Sequence, residues 1–271
     1  MNWLVTSLLL LLSFFVWFSL RYAWWKRPIG YQYPRILMYH MISKAQPHHK
    51  YKGLRVAPTM FERQLKLLRE TGWEFVTMSQ LAERKWQGNK LVALTIEDGF
   101  TDNYHHALPV MKKYQACGTL FLVTDRHNRD WSVSKKAHHD SGELASEDKL
   151  TDAQVLEMIR SGLFEIGGHT VTHCNLANTG LMAKQQEIVG CKEQLENNFS
   201  IQVSSFAYPF GIYGEEDTNI VKEAGYISAT TTDEGIDIIP DPWRLKRIKI
   251  SGKDNFLAFK MRIKTGFRGY I

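Results

Sequence analysis

Residues Leu91 to Asn103 read Leu-Val-Ala-Leu-Thr-Ile-Glu-Asp-Gly-Phe-Thr-Asp-Asn. A short apolar run rich in branched residues ends in two adjacent carboxylates and a glycine, the pattern of a buried strand that delivers acids to the rim of a sheet. Side chains alternate along a strand, so Glu97 and Asp98 are expected to point in different directions and to do different jobs. One would hold a metal while the other faces the reacting atom. Gly99 lets the backbone turn sharply just beyond them.

Similar runs recur along the chain. Strands are expected at Arg35 to Tyr39, which ends at His40, and at Glu74–Thr77, Gly118–Thr124, Phe164–Gly168, Ser204–Tyr208, Ile227–Thr230 and Leu245–Ile250. Between them lie helical segments. Thr59-Met-Phe-Glu62 reads as a capping box for a helix that Gly72 closes, and Ser79 as the cap of a helix running to about Trp86. Further helices are expected over Asp102–Gln115, from the capping box Thr151-Asp-Ala-Gln154, over Leu181–Asn197 and Glu215–Ala224, and after Asp254. Strands and helices that alternate through short links predict parallel βα units. Seven or eight parallel strands suffice to close a (β/α) barrel, with the chemistry at the carboxyl ends of the strands. Asp125 to Lys149, with His127, His138 and His139 at irregular spacing, reads as an insertion loop near a site mouth. Asp233 and Asp241 read as ordinary loop acids.

Trp3 to Leu20 is free of charge and dominated by Leu, Phe and Val, and it is followed by Tyr22, Trp24, Trp25, Lys26 and Arg27. An apolar span ending in an aromatic belt and a basic flank predicts one N-terminal transmembrane helix. Met1-Asn2 carries no basic side chain and no Ala-x-Ala follows the span, so a retained anchor is expected rather than a cleaved signal. Residues 1–27 thus form the anchor and its flank, and residues 28–271 the main domain. Arg21, Lys26, Arg27 and Arg35 all follow the span, which places that domain on the cytoplasmic side under the positive-inside rule.

The formal charge of +6 suits an anionic partner such as a membrane surface or acidic glycan. The basic residues are scattered, without the stripe that nucleic-acid binding requires, and no segment points to an obligate protein partner. Cys117, Cys174 and Cys191 outline neither a disulfide framework nor a metal knuckle, so free thiols are expected.

Two further segments carry chemistry. His169-Thr-Val-Thr-His173 follows the strand ending at Gly168, and one helical turn or a tight loop brings imidazoles at this spacing to one ion. With one carboxylate they make a two-histidine, one-carboxylate face with open positions for water and substrate. In Ala207-Tyr-Pro-Phe-Gly211, Pro209 fixes the chain and leaves the Phe210 amide to point into the site.

Thr95-Ile-Glu-Asp-Gly99, His169-Thr-Val-Thr-His173 and Ala207-Tyr-Pro-Phe-Gly211, in this order, resemble the first three motifs of the polysaccharide deacetylase superfamily (nodulation-factor deacetylase homology, carbohydrate esterase family four). The likeness spans roughly Arg35 to Ile250. Met38-Tyr-His40 and the Ala-Tyr-Pro segment resemble the poly-N-acetylglucosamine deacetylase branch. The resemblance implies a distorted (β/α) barrel and a divalent metal, commonly zinc, on Asp98, His169 and His173. It further implies Glu97 as general base, His40 as general acid and the Phe210 amide as an oxyanion donor. The implied reaction is hydrolysis of an N-acetylated amino sugar of a bacterial surface glycan; a basic domain held at the cytoplasmic face of the bacterial inner membrane, as the positive-inside rule places it, suits a lipopolysaccharide core sugar or a lipid-linked intermediate. Two positions depart from the family pattern: the base is usually aspartate, and Ala207 replaces the arginine that orients it. Arg247 is the substitute by position. Competing readings are a periplasmic exopolysaccharide deacetylase, an amino-sugar deformylase and a glycan-binding protein that has lost catalysis.

Overall fold

The side chains of Leu91–Asp98 (β3) divide by parity. Leu91 and Ala93 pack inward with Ile36, Phe121, Ala207 and Leu245, while Val92, Leu94 and Ile96 pack outward beneath the helices with Leu65, Met111 and Leu120. A strand buried on both faces belongs in a parallel sheet covered by helices. That is the architecture in the computed structural model, which describes residues 3–135 and 141–270.

In chain order the elements are α1 (Trp3–Tyr22), β1 (Arg35–Tyr39), α2 (Pro58–Glu70), β2 (Glu74–Val76), α3 (Met78–Glu83), β3, α4 (Leu108–Tyr114), β4 (Gly118–Leu122), α5 (Ser132–Lys135), α6 (Glu143–Ser146), α7 (Asp152–Arg160), β5 (Phe164–Gly168), α8 (Leu181–Phe199), β6 (Ser205–Ala207), α9 (Glu215–Glu223), β7 (Ser228–Glu234), β8 (Leu245–Lys249) and α10 (Phe256–Thr265). The strands run β1-β8-β7-β6-β5-β4-β3, and a β1–β3 pairing closes the ring. Every pairing is parallel, and β2 adds an eighth strand beside the start of β3. This is a (β/α) barrel of seven closed strands plus one, and all its strand ends converge on one face.

Local signals differ from expectation at three helices. Helix α2 starts one residue before Thr59, with Pro58 in its first turn and no side-chain cap at Ala57. Proline's fixed φ supplies the start that a capping box would have provided. In α3 the cap is Thr77 rather than Ser79, reciprocated by Gln80, and the helix ends at Glu83. The segment before α4 opens as a π-helical turn, Asn103–Ala107. The Thr151–Gln154 capping box forms as expected.

Helix α1 has the length and apolar composition to cross a membrane, and Trp3 to Leu20 stand outside the barrel. Its end does not. Tyr22 and Ala23 are buried, the Arg21 guanidinium pairs with Asp254 at 2.9 Å, and Asn255 donates to the Tyr22 hydroxyl at 2.6 Å. All three cysteines are free.

Leu94 is fully buried and Thr151 caps only one exposed helix end. Leu94→Ala is therefore expected to lower the unfolding free energy by about 2–5 kcal/mol, and Thr151→Ala by about 1 kcal/mol. Denaturant titration of the detergent-solubilised chain measures both.

Candidate active site

Within β3 the inward parity of Leu91, Ala93 and Thr95 continues to Glu97, whereas Asp98 falls on the outward parity. Strict alternation would separate the two acids. The structure brings them together, because Asp98 adopts φ 76° and the Gly99 amide donates to the Glu97 carbonyl at 2.9 Å. This is a strained γ-turn that swings Asp98 back over the barrel mouth. Gly99 itself has φ +83°, and a Cβ there would lie 2.4 Å from a Leu122 methyl. Both acids line one cavity of about 230 Å³ with His40, His169, His173 and Phe210.

The histidine pair sits on a tight loop after β5 rather than on a helix, with Thr170 and His173 in left-handed conformation (φ 64° and 55°). Asp98 Oδ1 lies 3.5 Å from His169 Nε2 and 3.4 Å from His173 Nε2. A tetrahedral ion with bonds of about 2.0–2.2 Å separates its ligand atoms by roughly 3.3–3.6 Å. The three donors therefore stand at ligand-edge spacing. Asp98 Oδ1 is buried and makes no hydrogen bond, so it is an acceptor that a cation would satisfy. His169 Nδ1 meets the Ala207 carbonyl at 2.7 Å, and a proton placed there leaves Nε2 as the ligand. The residues fit a divalent ion.

Glu97 is held between a guanidinium and an imidazole. One carboxylate oxygen is 2.7 Å from Arg247 Nη1 and the other is 3.2 Å from His40 Nε2. Arg247 reaches from β8, where its Nε donates to the Thr231 carbonyl at 2.7 Å and its Nη1 to the Thr95 hydroxyl at 3.2 Å. Burial pushes the Glu97 carboxyl up, but the charges of Arg247, His169 and His40 outweigh it and leave Glu97 below the ordinary carboxylate range. Burial likewise raises Asp98, and the adjacent imidazoles reverse this and hold it well below that range. In His169 burial is overcome by Asp98 and Glu97, so its pKa rises. In His40 and His173 burial prevails and lowers it. Both carboxylates are thus ionised at neutral pH, while His40 and His173 are neutral.

The remaining wall comes largely from side chains that sequence reasoning did not name, although it placed the insertion Asp125 to Lys149 near the site mouth, and the cavity bears that placement out. Trp131 stacks on His173 with centroids 5.1 Å apart, and Phe210, at φ 60°, packs edge-on to the same ring at 4.5 Å. Tyr51 and Leu54 come from the β1–α2 connection, and Ser132, Lys135 and Leu144 from the insertion after β4. Buried Arg55 ties these two segments together through Glu143 at 2.9 Å and Glu147 at 2.6 Å. Lys249 had one legible signal, since it lies two residues beyond Arg247 on β8 and so shares its face. His127 is exposed and away from the cavity, and His138 and His139 fall outside the described residues. The Asp233 amide donates to the Thr231 hydroxyl, Asp241 accepts from the Trp243 amide, and neither acid lines the cavity. A larger groove of about 840 Å³ between α8 and α9 gathers no comparable set of groups.

The polysaccharide deacetylase family profile matches residues 84–229, a span that contains Glu97, Asp98, His169, His173 and Phe210. The chain belongs to this family. It is a carbohydrate deacetylase, a hydrolase of carbon–nitrogen bonds other than peptide bonds. It is 32% identical over 217 residues to YxkH of Bacillus subtilis (strain 168), named as a polysaccharide deacetylase, covering 79% of this chain and 69% of that protein. It is 25% identical to the poly-beta-1,6-N-acetyl-D-glucosamine N-deacetylase of Staphylococcus aureus (strain MRSA252), covering 70% and 68%. The crystal structure of the polysaccharide deacetylase BC0361 from Bacillus cereus superposes with a TM-score of 0.72 at 27% identity, covering 86% of this chain and 69% of that one.

Two outcomes test the geometry. Asp98→Ala and His169→Ala are each expected to abolish retention of a divalent ion, measured as metal per folded chain by elemental analysis. In Arg247→Gln, Glu97 loses its largest counter-charge and its pKa rises. The acidic limb of the pH–rate profile of kcat/KM should therefore move to higher pH than in the wild type.

Proposed function

We propose that the chain is a metal-dependent N-deacetylase of an N-acetylated, N-acetylglucosamine-like amino sugar. The observation that carries this reading is the placement of one ionised carboxylate, Glu97, beside a second, Asp98, that shares an ion-sized space with two imidazoles. Asp98, His169 and His173 would hold a divalent ion, which we take to be zinc, and that ion would supply polarisation of the acetamide carbonyl and a more acidic water.

The chain's own residues do the rest. Glu97, oriented by Arg247 and kept ionised, accepts the proton of the attacking water. Its extra methylene relative to aspartate is matched by an arginine from β8 in place of one at position 207. We assign the amide after Pro209, that of Phe210, to the developing oxyanion. We assign to His40, whose Nε2 stands 3.2 Å from Glu97, the relay of that proton from Glu97 to the departing amine. The carbon–nitrogen bond breaks, a carbon–oxygen bond forms, and acetate leaves with the free amino sugar. Trp131, Phe210 and Leu54 give the cavity an apolar lining beside the reacting groups.

We further assign α1 to a retained bacterial inner-membrane anchor, with Lys26 and Arg27, both exposed, on the cytoplasmic side. Burial of Tyr22 and Ala23 against the barrel supports retention. The substrate is then a lipopolysaccharide core sugar or a lipid-linked intermediate. The S. aureus relative, named for N-deacetylation of poly-beta-1,6-N-acetyl-D-glucosamine, supports the sugar type.

Glu97→Gln is expected to reduce acetate release from an N-acetylglucosamine glycolipid by about 10²–10⁴-fold while keeping its metal. Activity within threefold of wild type would remove Glu97 from the base role.

A further inference from the structure

Two independent features meet at the cavity mouth. The first is where the anchor ends. Asp254 and Asn255 lie in the loop after β8, on the face where the strand ends converge. Arg21 and Tyr22, the last turn of α1, are fastened there. Asp254 also pairs with buried Arg262 at 2.5 Å, and Arg262 donates to the backbone carbonyl of Lys249, whose side chain lines the catalytic cavity. Three contacts therefore lead from the membrane helix to the cavity wall. The segment 266–270 folds back along the same junction. The Tyr270 amide bonds the Leu20 carbonyl at 2.8 Å, Tyr270 stacks on Trp25, and Lys26 lies over Phe267 at 4.4 Å. Aromatic and basic side chains of this kind settle at the headgroup level of a bilayer. The last turn of α1 is thus bonded to a loop on the catalytic face, and the rest of its apolar length is exposed, so a bilayer holding α1 would lie close to that face.

The second feature is charge. Lys249 and Lys135 line the cavity, Arg268 lies near enough to Lys249 for its charge to act on it, and among the described residues none of the three has a carboxylate in an ion pair. Lys135 lies over Phe210 at 5.7 Å. Burial lowers the pKa of Lys249 first, and the charges of Arg268 and Lys135 lower it further, against a smaller opposing influence of Glu234 and Glu97. Three cations held near one another without counter-charge form a site for an anion. The metal-site carboxylates lie deeper, so the anion belongs on the substrate some way from the acetamide.

We infer that the site takes its amino sugar from a membrane lipid to which the sugar is joined through a phosphate, with Lys249, Arg268 and Lys135 binding that phosphate at the bilayer surface. The inference rests on the deacetylase reading above and specifies its substrate class. The anchor supplies a high local concentration of lipid, and the cations set the register of the sugar over Glu97.

The test uses the full chain in anionic-lipid-free nanodiscs. It compares acetate release from N-acetylglucosaminyl-phosphoryl-polyisoprenol in the same discs, soluble N-acetylglucosamine 1-phosphate, and a neutral N-acetylglucosamine tetramer. Wild type should favour the lipid phosphate over both others in kcat/KM. Lys249→Gln and Arg268→Gln should each raise KM for it by roughly tenfold, with kcat within threefold, and Lys249→Arg should restore KM. Metal content and melting temperature identify a variant that has merely misfolded. Equal or better use of the neutral tetramer, with KM for the lipid phosphate unmoved by the variants, overturns the inference and leaves the deacetylase reading intact. Equal use of soluble and lipid phosphates shows an anion site without a membrane substrate and also overturns it. No acetate from any of the three removes the deacetylase reading itself.

Discussion

A carboxylate cannot be kept ionised inside a barrel without a partner, and here that partner is Arg247. The guanidinium is fully buried, crosses from β8 to Glu97 on β3, and donates from Nε to the Thr231 carbonyl and from Nη1 to the Thr95 hydroxyl. Removing either member of such a pair leaves a buried charge uncompensated. The pair therefore couples function to architecture. It exists only because β1 bonds to both β3 and β8 and so brings distant strands to one interior.

The rim above this pair departs from easy backbone geometry where the chemistry is expected. Asp98, Thr170, His173 and Phe210 all take positive φ without being glycine. Each such residue costs of order 1–3 kcal/mol and persists only where the surroundings over-determine it. Here the surroundings are a fully buried β3, glycines at 99 and 211 that permit close approach, and the stack of Trp131 and Phe210 on His173. The strain sets three donor atoms at ligand spacing rather than at hydrogen-bond distance from one another.

The apolar helix is part of the same economy of placement. Its last turn is bonded to the loop that follows β8, and β8 carries both Arg247 and Lys249. The apolar helix, the arginine that meets Glu97 and a lysine of the cavity wall are thus linked through one strand and the loop after it.

The sequence alone determined the alternating βα order, the apolar N-terminal span, and the three segments ending at Asp98, His173 and Gly211, because these are local patterns of period, punctuation and spacing. It located Arg247 only as a candidate by position, since nothing local marks which arginine crosses a barrel. It misplaced the starts of α2 and α3, where proline and a neighbouring threonine outcompeted the residues that looked like caps. Alternation also assigned Glu97 and Asp98 to opposite faces, and only the γ-turn at Asp98 reunited them. The walls from Tyr51, Trp131 and Lys249, and the fastening of α1 to Asp254, were decided by tertiary structure. These contacts join residues dozens to hundreds of positions apart through irregular segments, whose paths depend on packing and ion pairing rather than on any periodicity a sequence can display.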